Sequence, residues 1–172
     1  IADLMKLSES LAVLNVERYQ QWEPTFDQTN SRQAILAFNG DVYEGLEAPT
    51  LTKPQLEWTN EHVFILSGLY GVLRPMDLMR PYRLEMGTRL ETDKGKNLYE
   101  FWDTQLAEFI NQSLVNHKNQ VVVNLASEEY FKAVKKNALN YPVVQCVFKE
   151  ERDGAYKIIS FSAKRARGLT CR

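Results

Sequence analysis

At 172 residues, with 44% hydrophobic and 25% charged side chains, the chain has the make-up of one domain with an ordinary core. A net charge of −1 gives no global pointer to nucleic acid, two histidines exclude a histidine-rich metal site, and Cys146 and Cys171 stand too far apart to suggest a disulfide framework or a zinc site. No apolar run approaches the roughly 20 residues of a membrane helix, and the opening IADLMKLSES lacks the apolar stretch of a secretory signal, so the expected setting is cytoplasmic with no membrane partner.

The charge is unevenly distributed. Residues 1–61 carry 10 acids and 4 bases, whereas residues 62–172 carry 12 acids and 17 bases. The bases are densest at KAVKK, from Lys132 to Lys136, and at AKRARG, from Ala163 to Gly168. A start at Ile1 and an end at LTCR read as an internal piece, so residues 1–172 are expected to be one domain within a longer one.

In chain order, Leu4, Leu7, Leu11 and Leu14 recur at steps of three and four and predict an apolar helix face. NVERYQQW predicts a second short helix, ended by Pro24. FDQTNSRQ reads as a loop, and SRQAILAF as a helix capped by Ser31 and broken at Asn39-Gly40. TKPQLEWTNEHVFILSGL predicts a helix opened by Thr52 and Gln55 at capping-box spacing, with Pro54 in its first turn and Gly68 and Gly71 stopping or bending it. Pro75 and Pro81 keep the next stretch irregular or extended, and DKGKN is a turn.

NLYEFWDTQLAEFINQSL is the clearest predicted helix. Asn97 and Glu100 have capping-box spacing, and Leu98, Phe101, Trp102, Leu106, Phe109, Ile110 and Leu114 form its apolar stripe. QVVVNLAS reads as a buried strand and SEEYFKAVKKNAL as a helix capped by Ser127, with Glu128 and Glu129 at its positive end and Lys135 and Lys136 at its negative end. Two strands around Asp153-Gly154 predict a hairpin, and SAKRARGL resumes helix or loop. The expected class is α+β: a helix-rich first half with a helical hairpin, then a mixed sheet with a β-hairpin and flanking helices.

Four stretches carry candidate chemistry. In LAVLNVER, a tight hairpin at Leu11, Val13 and Asn15, with Arg18 beyond it, would aim backbone N–H groups at a phosphate; the alternative is an ordinary helical hairpin. In LSGLYGVLRPMDLMRPYRLEMG, Arg74, Arg80 and Arg83 would line one wall of a cleft with Ser67 and Tyr70; the alternative is a structural turn whose arginines pair with Asp77 and Glu85. In NLASEEYFK, Asn124, Ser127, Glu129, Tyr130 and Lys132 stand where a strand runs into a helix; the alternative is a cap with favourable helix charges. Lys164, Arg165 and Arg167 in SAKRARG, with Lys132 and Lys135, would contact phosphates; the alternative is a solvated surface.

Together, AILAFNGDVYEGL, LSGLYGVLRPMDLMRPYRLEMG, VVNLASEEYFKAV and IISFSAKRARGL closely resemble the YaaA family of bacterial peroxide-stress proteins, over nearly the whole chain. The resemblance implies a cytoplasmic protein that limits iron-dependent damage under hydrogen peroxide and binds double-stranded DNA. It also implies an unusual fold with a positively charged cleft and a helix-hairpin-helix element. That element would span Leu4 to Trp22, and the cleft would use Arg74, Arg83, Lys132, Lys164 and Arg167. No cofactor, metal or obligatory protein partner is expected. The chain departs from the family in lacking its opening Ser-Pro-Ala-Lys-Thr motif, in stopping after ARGL, and in holding Val13 where a hairpin glycine is expected. The rival expectation is an enzyme for a small anionic or nucleotide-like substrate, with Glu129 or Tyr130 as acid or base and Lys164 beside them.

Overall fold

Short helices alternate with four two-stranded sheets in the computed structural model, which describes residues Ile1–Arg172. The first half holds α1 (Ala2–Met5), α2 (Glu9–Gln20), β1 (Arg32–Gln33), α3 (Ala34–Ala37), α4 (Asp41–Leu46) and α5 (Lys53–His62). Then come β2 (Ile65–Ser67), β3 (Gly71–Leu73), β4 (Leu78–Met79), α6 (Leu98–Trp102), α7 (Gln105–Leu114), β5 (Val122–Asn124), α8 (Glu128–Phe131), β6 (Val143–Gln145), β7 (Glu150–Arg152), β8 (Ala155–Lys157) and α9 (Ser160–Cys171). The pairs β1–β4, β2–β3 and β7–β8 are antiparallel, and β5–β6 is parallel. This is the expected α+β class. No helix is long and apolar enough to cross a membrane.

The largest core forms where α7 turns Leu106, Ala107, Ile110 and Leu114 onto Leu84, Met86, Leu98, Ala133 and Val134. The spacing of those four α7 residues keeps them on one stripe, so a single helix face supplies nearly half the cluster. Local signals open the helices as expected. The Thr52 N–H donates to Gln55 Oε1 at 2.8 Å at the head of α5. At α6, the Glu100 N–H donates to Asn97 Oδ1 and the Asn97 amide donates back to Glu100 Oε1, both at 3.0 Å. At the β7–β8 turn, Asp153 and Gly154 hold φ of 55° and 75°, the two left-handed residues that a tight hairpin needs.

Several predicted boundaries are corrected. Leu11, Ala12, Val13, Leu14 and Asn15 lie inside the continuous helix α2, so no hairpin sits there; the chain turns earlier, at Lys6, whose φ is 52°. Asn15 is not a turn residue but is buried, with its amide donating to the Leu11 carbonyl one helical turn back at 2.7 Å. Ser31 caps nothing: its hydroxyl donates to the Asp27 carbonyl, Arg32–Gln33 is drawn into a pairing with Leu78–Met79, and the helix shrinks to α3. The helix expected to run from Thr52 through Leu69 ends at His62, where β-branched Val63 and Ile65 lead into β2.

The long helix expected over residues 97–114 breaks at Asp103, whose φ of 43° separates α6 from α7. Beyond α8, Lys135 at φ 51° splits the expected KAVKKNAL helix into two short 3-10 turns. The strand expected to be buried, β5, has only β6 beside it; Val123 is 52% exposed and Val144 50%, because nothing covers that face.

The C-terminal helix is tied back to the first half by a close crossing of α4 and α9. A Cβ added at Gly45 would collide with the Arg165 carbonyl oxygen, and one added at Gly168 with the Val42 carbonyl oxygen and the Leu46 backbone nitrogen. The two helices therefore meet backbone to backbone. Glycine-to-alanine exchange in an exposed helix interior gains about 1 kcal/mol. Here Gly168→Ala is expected to cost about 1–3 kcal/mol, as overpacking does. A thermal unfolding midpoint below that of the unsubstituted chain is the expected result; an equal or higher midpoint contradicts the crossing.

Candidate functional site

LSGLYGVLRP folds as the β2–β3 hairpin, and its glycines answer to packing. Gly71 sits at φ 73°, and a Cβ there would stand 2.9 Å from the Trp102 ring; one at Gly68 would strike the Leu84 carbonyl. Trp102 fixes the turn by donating its indole N–H to the Gly68 carbonyl at 3.1 Å. Ser67 is fully buried; its hydroxyl accepts the Tyr70 N–H at 2.8 Å and bonds the Tyr82 hydroxyl at 2.6 Å. Tyr82 meets Tyr70 and Phe38 edge-on. The Tyr70 hydroxyl accepts from the Arg80 N–H at 3.1 Å and from the Trp22 indole at 3.2 Å. Ser67 and Tyr70, expected to line a cleft, tie the motif to the segment after α2 through an aromatic cluster with Tyr82, Trp22 and Phe26.

Burial pushes the Tyr82 and Tyr43 phenols far above the ordinary tyrosine range, with neighbouring tyrosines adding to the effect. Tyr130 is also raised, first by burial and then by the Glu129 carboxylate. Each shift favours the proton-bearing phenol.

The NLASEEYFK stretch divides into two arrangements. At the end of β5, Asn124 donates to Gln145 Oε1 at 2.7 Å and accepts the Ala126 N–H at 2.9 Å. Arg167 reaches the same bend from α9, donating to the Leu125 and Ala126 carbonyls at 2.9 and 2.5 Å. Beyond it, Ser127 caps α8 by accepting the Tyr130 N–H at 3.4 Å. Glu129 Oε1 accepts the Gly87 N–H at 2.8 Å, and the Tyr99 hydroxyl donates to the Glu129 carbonyl at 3.1 Å. Lys164 faces Asp41 on α4 at 3.4 Å. Glu129 and Lys164 thus hold separate partners and form no acid–base pair with each other.

The predicted cations sort by what they touch. Arg80 is buried; it donates to the Gln21 carbonyl at the end of α2 and stands 3.5 Å from Glu23, while its Nε has no partner. Arg83 pairs with Glu85 at 2.9 Å, as the structural reading of that motif expects, and Lys135 pairs with Asp103. Lys132 lies over the Tyr99 ring at 4.9 Å. Arg18, Arg74, Lys132 and Arg165 form no ion pair with a carboxylate. One grouping escaped the sequence altogether: His62 and His117, far apart in the chain, come ring to ring at 4.9 Å. No local spacing announces that meeting. No group of three or more His, Cys, Asp and Glu side chains is placed to hold a metal ion.

The buried phenols make alkaline stability a direct test. A folded-state pKa raised above the unfolded value means that the folded protein keeps its phenolic protons longer. The stabilisation is complete below the ordinary tyrosine value of about 10 and is lost as pH rises beyond it. Tyr43→Phe, which removes one such proton and no protein hydrogen bond, should change the melting temperature little at neutral pH and reduce its fall above about pH 10. An undiminished alkaline fall contradicts the burial of Tyr43.

The family described as "Peroxide stress protein YaaA" matches residues 1–172. A UPF0246 protein of Polaromonas sp. (strain JS666 / ATCC BAA-500) is 64% identical over 172 residues, covering all of this chain and 67% of the relative. UPF0246 proteins of Bordetella petrii and Bordetella pertussis are each 63% identical over the same 172 residues, with the same coverage. The chain therefore spans about two thirds of the length of these relatives. With the whole chain matched and identity this high, the chain belongs to the peroxide stress protein YaaA family.

Proposed function

We propose that this chain acts in peroxide stress by covering duplex DNA without reading its sequence, seating backbone phosphates on cations that have no carboxylate partner of their own. The observation that carries the reading is the state of Lys132 and Arg165: both are exposed and neither forms an ion pair. An unpaired surface cation can neutralise a phosphate without first giving up a carboxylate, whereas Arg83, Lys135 and Lys164 must exchange one partner for another. Arg18 on α2, half-exposed, also forms no ion pair. The basic excess of residues 62–172 supplies the long-range attraction.

Limiting iron-dependent damage follows from the same binding. Duplex DNA condenses cations along its phosphates, and each phosphate neutralised by a lysine or arginine releases counterions. Ferrous iron is one of the cations so displaced, and radicals that it makes from hydrogen peroxide then form away from the sugars. This role needs no iron site in the protein. It places the protein in the cytoplasm, where bacterial DNA lies.

The test is duplex binding across a salt series. Replacing Lys132 and Arg165 together by alanine should weaken binding and reduce the slope of log affinity against log salt by roughly 1.8, about 0.9 for each phosphate left without its cation. Arg167→Ala should instead lower the melting temperature, since Arg167 holds the carbonyls of Leu125 and Ala126. A folded Lys132/Arg165 double variant with an unchanged slope overturns the assignment.

A further inference from the structure

The two histidines stand in an open cleft of about 420 Å³ between the end of α5, the segment after β3 and the end of α7. That volume is in the range of small-molecule sites, but the lining is polar, with Phe64 its only apolar side chain. Asn60, Glu61 and His62 come from α5, Arg74 follows β3, and Asn116, His117 and Lys118 follow α7. The segment after α7 lies far along the chain from the other two, and the fold brings both histidines of the chain to one place.

The cationic groups of the cleft are uncommitted. The Arg74 guanidinium has neither a carboxylate nor a hydrogen-bond acceptor; only its backbone N–H is engaged, donating to Asp77 Oδ2 at 2.7 Å. It lies over the Phe109 ring at 5.9 Å. Lys118 is exposed and also lacks an ion pair. Glu61 is the single acid in the lining.

His62 is held rather than free. Its ring stacks on Trp58 with centroids 4.1 Å apart and planes at 4°, and its Nδ1 lies 2.8 Å from the Trp58 carbonyl. A carbonyl only accepts, so Nδ1 carries the hydrogen and the lone pair of the neutral ring is on Nε2. Protonation turns Nε2 into a donor. A fork from Arg74, a point charge from Lys118 and switchable donors from His62 and His117 are the groups that hold a phosphate.

We propose that this cleft is a binding site for a small phosphate-bearing anion. The groups facing the pair are Glu61, Arg74 and Lys118. The two cations favour the anion at any pH, and Glu61 opposes it. The site uses neither Lys132 nor Arg165 and stands or falls apart from the DNA reading.

The test uses the two histidine ring signals, one from each side of the cleft, in a heteronuclear NMR titration with inorganic pyrophosphate, followed by a duplex bearing 5′-hydroxyl ends. Both signals should move saturably with pyrophosphate. Arg74→Ala should weaken the response about tenfold, the effect expected of a charge-assisted hydrogen bond, and Glu61→Gln should tighten it. Signals that do not saturate with pyrophosphate overturn the proposal, as does an unchanged response in a folded Arg74→Ala variant. Movement with the duplex alone also overturns it, by making the cleft a seat for backbone phosphate.

Discussion

The contact of α4 with α9 at Gly45 and Gly168 is the constraint from which the arrangement of the candidate surfaces follows. Two glycines let the helix backbones touch, and no side chain separates them. Once α9 is pressed against α4, Lys164 falls opposite Asp41 and Arg172 opposite Glu47. Arg167 then points the other way and takes the carbonyls of Leu125 and Ala126, so the last helix fixes the bend after β5. Arg165 remains, exposed and unpaired. Four basic residues at this end of the chain thus have three different fates, decided by a crossing that a single methyl group would spoil.

The charges of that helix were plain in the sequence; their pairing was not. Arg80 illustrates the gap. Its motif reads as a cleft wall or a structural turn, yet its guanidinium is buried against the end of α2, where a cation complements the helix carbonyls. Its carboxylate partner Glu23 is far away in sequence. Arg83 and Glu85, two residues apart, form the local pair that spacing alone suggests. Short-range pairs can be read from a string of letters, whereas pairs closed by tertiary packing cannot.

The same division runs through the fold. Caps at Thr52 and Asn97, the hairpin at Asp153-Gly154 and the apolar stripe of α7 were legible because each depends on a few adjacent residues. The breaks at Lys6, Asp103 and Lys135 were not, since each is a non-glycine residue with positive φ, a choice that residue type does not announce. The hairpin placed at Leu11–Asn15 failed for a related reason. Leucines at helical spacing lie on both sides of the break at Lys6, so the apolar pattern changes at one place and the backbone turns at another. The histidine cleft needed three separate elements to converge and left no local trace.

The central claim is that protection from peroxide and occupancy of DNA phosphates are one act. The most direct measurement exposes a supercoiled plasmid to ferrous iron and hydrogen peroxide with increasing amounts of the protein, at low and high salt, while scoring strand breaks and bound fraction in the same samples. The account predicts that breaks fall in step with the bound fraction and that high salt abolishes both together. Protection that survives at a salt concentration where the protein no longer binds, or full binding without protection, contradicts it.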